Sequence, residues 1–408
     1  MGASRLFIPA VIALLLVAST VSALTPAAQE GPVIAVDLSH GQPDEGVETI
    51  IASCGGCRWI LILLDEAQRE AVRAEVLEAA DEVRLGGLTP ENLSDVDVLL
   101  IGQATSLLSA DEVEAIRQWA SQGRKAVWVA GDSDYPAQGS EIAQQAVNQV
   151  LEALGSSIRI DYVSVEDYTS NAGRSYRVVG VVDPDPPFTF LKQGLPNGGK
   201  VLFHGPGALY AIGANGEPVN PLKKPELKPE GVYVIVRTTE DSKSVEHQTA
   251  ETGGLSAVYY DPLNDEVNTG PFPLMMAEIK GNLMIVASSE TMYGGYEPMT
   301  APEYYGVALD GPEFVGRVVS TMAAFTTGLF IVSVVEREVT VTVTQTEKQV
   351  LTETVTETVK ETVTRENTVT MTVTTTTTVS GGPGTTTLVV AGIIIAAAIV
   401  AAALILRR

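Results

Sequence analysis

The chain of 408 residues is short of the residue types that most active sites use. It has two cysteines, Cys54 and Cys57, and three histidines, His40, His204 and His247. One cysteine pair with no second pair and no neighbouring histidine excludes a Cys/His zinc set. Basic residues are scarce too: 26 Lys and Arg stand against 50 Asp and Glu, for a formal charge of −24. A surface of that sign repels phosphate backbones and excludes nucleic acid as a partner. Aromatic residues are missing altogether from 336–387, a stretch built from Thr, Val and Glu that cannot form a packed core.

The two ends differ in character from the middle. Residues 1–23 read as a signal peptide: Arg5, then the apolar run Phe7–Ala18, then the small residues Val21-Ser22-Ala23. Residues 388–406 are uncharged, enough for ~28 Å of helix and one bilayer crossing. Arg407 and Arg408 follow, and the positive-inside bias keeps them cytoplasmic. A lipid-anchor signal at Ser380-Gly381-Gly382 is the rival reading. Residues 334–387 are expected to be a stalk, extended or a short coiled coil through Val355, Val359 and Val363. Fully extended it reaches ~170 Å. The expected organisation is a single-pass type I membrane protein with an extracellular head.

In the head, short apolar runs alternate with helical periodicity. Val96–Ile101 is a strand buried on both faces, ending at Gly102. Ser109 caps a helix that Gly123 closes, and Lys125–Ala130 is the next strand. Before this unit come strands at Pro32–Leu38 and Trp59–Leu64 and helices over 44–52 and 66–83. After it come a helix over 141–154 and a strand over 158–165. The pattern predicts an α/β fold with a largely parallel sheet over 31–168. From 169 to 277 strand-like runs are separated by Pro- and Gly-rich loops, a β-rich insertion or a continuation of the sheet. Residues 278–333 return to the core with a strand at Leu283–Ala287 and a helix at Pro312–Phe325.

Three motifs carry a resemblance. Asp37-Leu38-Ser39-His40-Gly41 ends the first strand; "LSADEVEAIRQWASQGRKAVWVAGDSDY" and "NLMIVASSE…GPEFVGRVVSTM" follow. Over 31–170 and 278–326 the chain resembles the GIFT-type domain of gliding-motility ABC-transporter auxiliary proteins and an intraflagellar-transport subunit, a relative of the class I glutamine amidotransferases. The resemblance implies a flavodoxin-like, three-layer sandwich and a transporter or envelope-layer partner. The signal peptide, Thr-rich stalk, anchor and arginine tail resemble archaeal cell-surface proteins.

Chemistry is expected where strands end. Ser133, in Gly131-Asp132-Ser133-Asp134-Tyr135, stands where an amidotransferase-like hydrolase holds its nucleophile, but Tyr135 replaces the last glycine of Gly-x-Ser-x-Gly. His40 is its conceivable base. The competing and preferred reading is binding without catalysis: Ser39, His40, Gln42, Gln103, Ser106, Asp132, Ser133 and Asp134 form a polar rim for a sugar or peptide, covered by the Met292–Tyr305 loop. His204 and His247 are assigned structural and loop positions. Asp37, Asp132 and Asp134 are weak candidates for a divalent cation, and no cofactor is called for. Cys54 and Cys57 are expected to form a structural disulfide. Asn92, in Asn92-Leu93-Ser94, is a glycosylation acceptor.

Overall fold

The computed structural model describes residues 31–138, 141–347 and 365–381. The chain enters with β1 (Val33–Asp37), α1 (Val47–Ala52) and β2 (Arg58–Leu63). Two short helices follow, α2 (Glu66–Ala71) and α3 (Ala74–Ala79), then β3 (Glu82–Leu85) and α4 (Pro90–Leu93). The expected central unit is β4 (Val98–Ile101), α5 (Ala110–Ala120) and β5 (Lys125–Ala130), with α6 (Ile142–Ala153) behind it. Then come β6 (Ile158–Ile160), β7 (Ser164–Asp167), β8 (Arg177–Val182), β9 (Lys200–His204), β10 (Leu209–Ile212) and β11 (Pro218–Val219). The head closes with β12 (Val232–Arg237), β13 (Ser242–Val245), β14 (Pro273–Lys280), β15 (Leu283–Ser288), β16 (Glu303–Tyr304), β17 (Val307–Ala308) and α7 (Gly311–Thr326).

Ten strands form one sheet in the order β3-β2-β1-β4-β5-β15-β14-β12-β8-β9. The six from β3 to β15 are parallel; the remaining four alternate in direction. The fold is therefore α/β around a large, mostly parallel sheet, and 169–277 continues that sheet through β8, β9, β12 and β14. Alternation along the strands separates two cores. Ile34 and Val36 face α1, α3 and α7, where Ile50, Val76 and Phe314 lie; Ala35 faces α5 and α6, where Ile116, Trp119 and Val147 lie. This is the arrangement of a three-layer sandwich.

Three local expectations change. The helix over 66–83 is broken at Val72 and Arg73, both with extended ψ. The Arg73 amide donates to Asp44 Oδ2 at 2.7 Å and its guanidinium reaches Asp44 and Glu48, so tertiary bonds to Asp44 and to Glu48 of α1 outweigh continued helix. The freed residues 82–85 become β3 beside β2. That edge strand sets the first five strands in the order 3-2-1-4-5, whereas a flavodoxin-like sheet runs 2-1-3-4-5. The strand expected over 158–165 divides into β6, paired with β10, and β7, paired with β13, both outside the main sheet. β14 is a further strand beyond those the sequence predicts; it takes up the whole of β15's free side, from Met275↔Ser288 to Lys280↔Leu283.

Past the head, β18 (Ile331–Glu347) and β19 (Arg365–Gly381) pair antiparallel from Ile331↔Gly381 to Glu347↔Arg365. A ladder of that length spans about 60 Å and brings the chain back on itself, where a single extended stalk reaches ~170 Å. Among the described residues no helix is long and apolar enough to cross a membrane. The signal peptide over 1–23, the coiled-coil positions Val355, Val359 and Val363, and the span over 388–406 lie outside the described residues.

Candidate ligand cleft at the strand ends

In doubly wound sheets the first place for a ligand is the crevice where strand order reverses, here between β1 and β4. Side chains fill it. The Tyr293 hydroxyl accepts from the Gly102 amide at 2.7 Å and donates to the Asp37 carbonyl at 2.5 Å. Thr291 Oγ1 accepts from the Gln103 amide at 3.2 Å. A Cβ on Gly102 would lie 2.8 Å from the Tyr293 ring, so glycine is required for the ring to enter. Met292, Tyr293 and Met299 of the expected recognition loop are thus core residues, fully buried. Tyr296 and Tyr305 of the same loop are exposed, at 67% and 66%.

The polar residues expected to form an open rim face one another instead. Asp37 Oδ1 accepts from the Ser39 amide and hydroxyl; Oδ2 accepts from Gln42 Nε2 and His40 Nδ1, each at 2.8 Å. His40 Nε2 lies 3.4 Å from Glu112, the same residue that closes the capping box of α5 with Ser109. Burial alone would lower the His40 imidazole. Hydrogen bonds and negative charge from Asp37 and Glu112 outweigh it and raise the pKa to about 10. The His40 bond, with those of Ser109, holds Glu112 down at about 2. Asp37, Ser39, His40 and Gln42 are all buried, and only Ser106 of the eight rim residues is exposed.

This arrangement does not pair His40 with Ser133. Both ring nitrogens face carboxylates and the ring stays cationic, so it cannot take a proton from a hydroxyl. Ser133 Oγ accepts from the Tyr135 amide at 3.2 Å. A nucleophile elbow needs a strained turn straight into a helix. Among the described residues Tyr305 is the one non-glycine at positive φ, and α6 starts nine residues after Ser133.

The aspartates expected as cation ligands are likewise committed. Asp134 Oδ1 accepts from Ser164 Oγ at 2.7 Å, and Oδ2 from the His247 and Gln248 amides at 2.5 and 3.0 Å, tying a distant loop to β5. Asp132 accepts from Gln103 Nε2 at 2.6 Å and from the Ser133 amide at 2.7 Å. Among the described residues no group of three His, Cys, Asp or Glu side chains could hold a metal. Asp132 interacts electrostatically with Glu290, a residue that the sequence does not single out. Glu290 is buried and accepts from the His204 and Thr291 amides at 2.6 and 2.9 Å. Burial first, and for Glu290 the charge of Asp132 next, push both carboxyls well above the ordinary carboxylate range.

The space left open is a cleft of about 510 Å³ farther along the same rim. β9 runs parallel to β5 and β8 opposite to it, so the end of β9 and the start of β8 meet this rim, with Arg177 and His204 in register. Ser133, Tyr135, Tyr176, Arg177, His204 and Tyr296 define the cleft, with Glu166 on one wall. The His204 and Tyr296 rings pack with centroids 4.9 Å apart, tilted by 40°; burial, then the charge of Arg177, lower the His204 pKa. Of the expected rim only Ser133 lines the cleft. The sequence assigns His204 only a structural place and does not mark Arg177 or Tyr176, because their strands reach this rim only through the antiparallel extension. The one sequence signal was the cluster of tyrosines over 293–305.

Cys54 and Cys57 are joined in the turn before β2, with Cα atoms 5.5 Å apart, away from the cleft. Asn92 Nδ2 donates to the carbonyls of Leu85 and Gly87 at 3.0 and 2.8 Å. A glycan on that nitrogen would replace one of its two N–H groups and so remove one of these bonds, which hold the turn after β3.

No protein-family model matches the chain, and no curated protein does. Matches among solved structures include the crystal structure of a levodione reductase, at 16% identity and a TM-score of 0.17. That match covers 30% of this chain and 62% of the reductase. No functional argument rests on so slight a likeness.

Proposed function

We propose that the head is a non-catalytic binding module, of amidotransferase-like descent, held outside a membrane by the C-terminal segment. The observation that carries the binding reading is the occupied His40. A cation locked between two carboxylates cannot serve Ser133, while the cleft beside Ser133 offers tyrosine faces and polar groups to a ligand. The Cys54–Cys57 disulfide suits an oxidising exterior, and the acidic composition keeps an exported head soluble. An envelope or transporter component is the proposed setting for the captured ligand. The rival, a surface hydrolase using Ser133, is tested by treating the purified protein with a fluorophosphonate. The binding reading expects no label on Ser133. Stoichiometric label that disappears in Ser133→Ala would replace it with the hydrolase.

A further inference from the structure

Arg177 is held differently from other arginines of the head. Arg58, Arg73, Arg84 and Arg237 are each paired with carboxylates. Arg177 makes no ion pair among the described residues, and its Nε is buried with no hydrogen-bond partner. Its guanidinium carbon lies 3.7 Å from the centre of the Tyr305 ring and 5.4 Å from that of Tyr176. A buried donor left unsatisfied costs about 1–3 kcal/mol. In a chain with nearly twice as many acids as bases, a carboxylate partner was easily available.

Tyr305 carries a second, independent irregularity. With Gly306 it makes the two-residue turn between β16 and β17, at φ 45 and 78. Such a turn needs positive φ at both positions, and Asn-Gly is its best sequence. A tyrosine there costs about 1 kcal/mol and, being exposed, recovers little by burial. What a tyrosine at this position achieves is a ring face against the guanidinium of Arg177, which lines the cleft.

We propose that Arg177, framed by Tyr305 and Tyr176, is a carboxylate subsite of the cleft, and that the ligand is a sugar acid: a hydroxylated ring carrying one carboxylate. The guanidinium fork matches a carboxylate with two parallel hydrogen bonds. Tyrosine faces cover the apolar side of a pyranose ring, and Glu166 supplies acceptors for hydroxyls. The net charge of −24 disfavours a polyanion, which leaves a ligand with one acid group on an otherwise neutral body. This assignment rests on the binding reading above and narrows it.

The test is calorimetric titration of the full-length protein with 4-nitrophenyl glucuronide and with 4-nitrophenyl glucoside, which lacks the carboxylate. The glucuronide is expected to bind about tenfold more tightly. Arg177→Gln should abolish that preference. Tyr305→Asn should weaken glucuronide binding several-fold while the melting temperature holds or rises, because asparagine suits the turn. Equal affinity for the two glycosides, or no binding of either, overturns the sugar-acid assignment. Release of nitrophenol abolished by Ser133→Ala overturns the non-catalytic reading instead, so the two failures are told apart.

Discussion

The Tyr293 hydroxyl accepts a hydrogen bond from the Gly102 amide at 2.7 Å, and its ring fills the crevice where doubly wound sheets usually bind. It connects the loop after β15 to the end of β4, 191 positions away, and the same hydroxyl donates to the Asp37 carbonyl at the end of β1, 256 positions away. The loop therefore acts as a plug at one end of the rim and, through Tyr296, as a wall of the cleft at the other.

Tyr293→Phe removes the hydroxyl and leaves the Gly102 amide buried without a partner. A loss of about 2 kcal/mol is expected from urea unfolding, with affinity at the cleft unchanged. A variant as stable as the parent would show that the plug contributes packing alone.

The cationic His40 makes stability depend on pH. Its proton is held to about pH 10 in the folded protein and to about 6.5 in the unfolded chain. The contribution is complete below pH 6.5 and is lost as pH rises towards 10. His40→Gln should cost about 3 kcal/mol at pH 6, and much less at pH 9.5. Unfolding midpoints at the two pH values check this; an equal loss at both would mean that the ring is neutral in the fold.

Asp132 and Glu290 act in the opposite direction on charge. Because burial raises their pKa values, ionising the pair as pH climbs removes stability that is present in acid. Asp132→Asn, with the Gln103 amide turned to accept, should therefore be more stable than the parent at pH 8, by about 1–2 kcal/mol. The advantage should shrink below pH 4. Loss of stability at pH 8 would indicate that the ionised carboxylate is needed for its two hydrogen bonds.

The sequence by itself determined the layers and the central unit. Continuous apolar runs at Val98–Ile101 and Lys125–Ala130 can only be strands covered on both faces, and Ser109 with Glu112 encodes a local capping box. It also placed Cys54 and Cys57 in one tight turn, since three residues of separation leave little choice. Tertiary structure decided what local pattern cannot carry. Arg73 broke a helix through bonds to Asp44 and Glu48 and so released β3, which changed the strand order. His40, read as part of an open binding rim and, in the rival reading, as the base for Ser133, is claimed by Asp37 at the end of β1 and by Glu112 from a helix start 72 positions away. The cleft itself depends on β8 and β9 arriving at the rim with Arg177 and His204 in register, a pairing set by strand direction across the far half of the sheet. Hydrophobic periodicity reports which face of a strand is buried; it carries no information about which distant strand ends share a rim, and the ligand cleft is made of those ends.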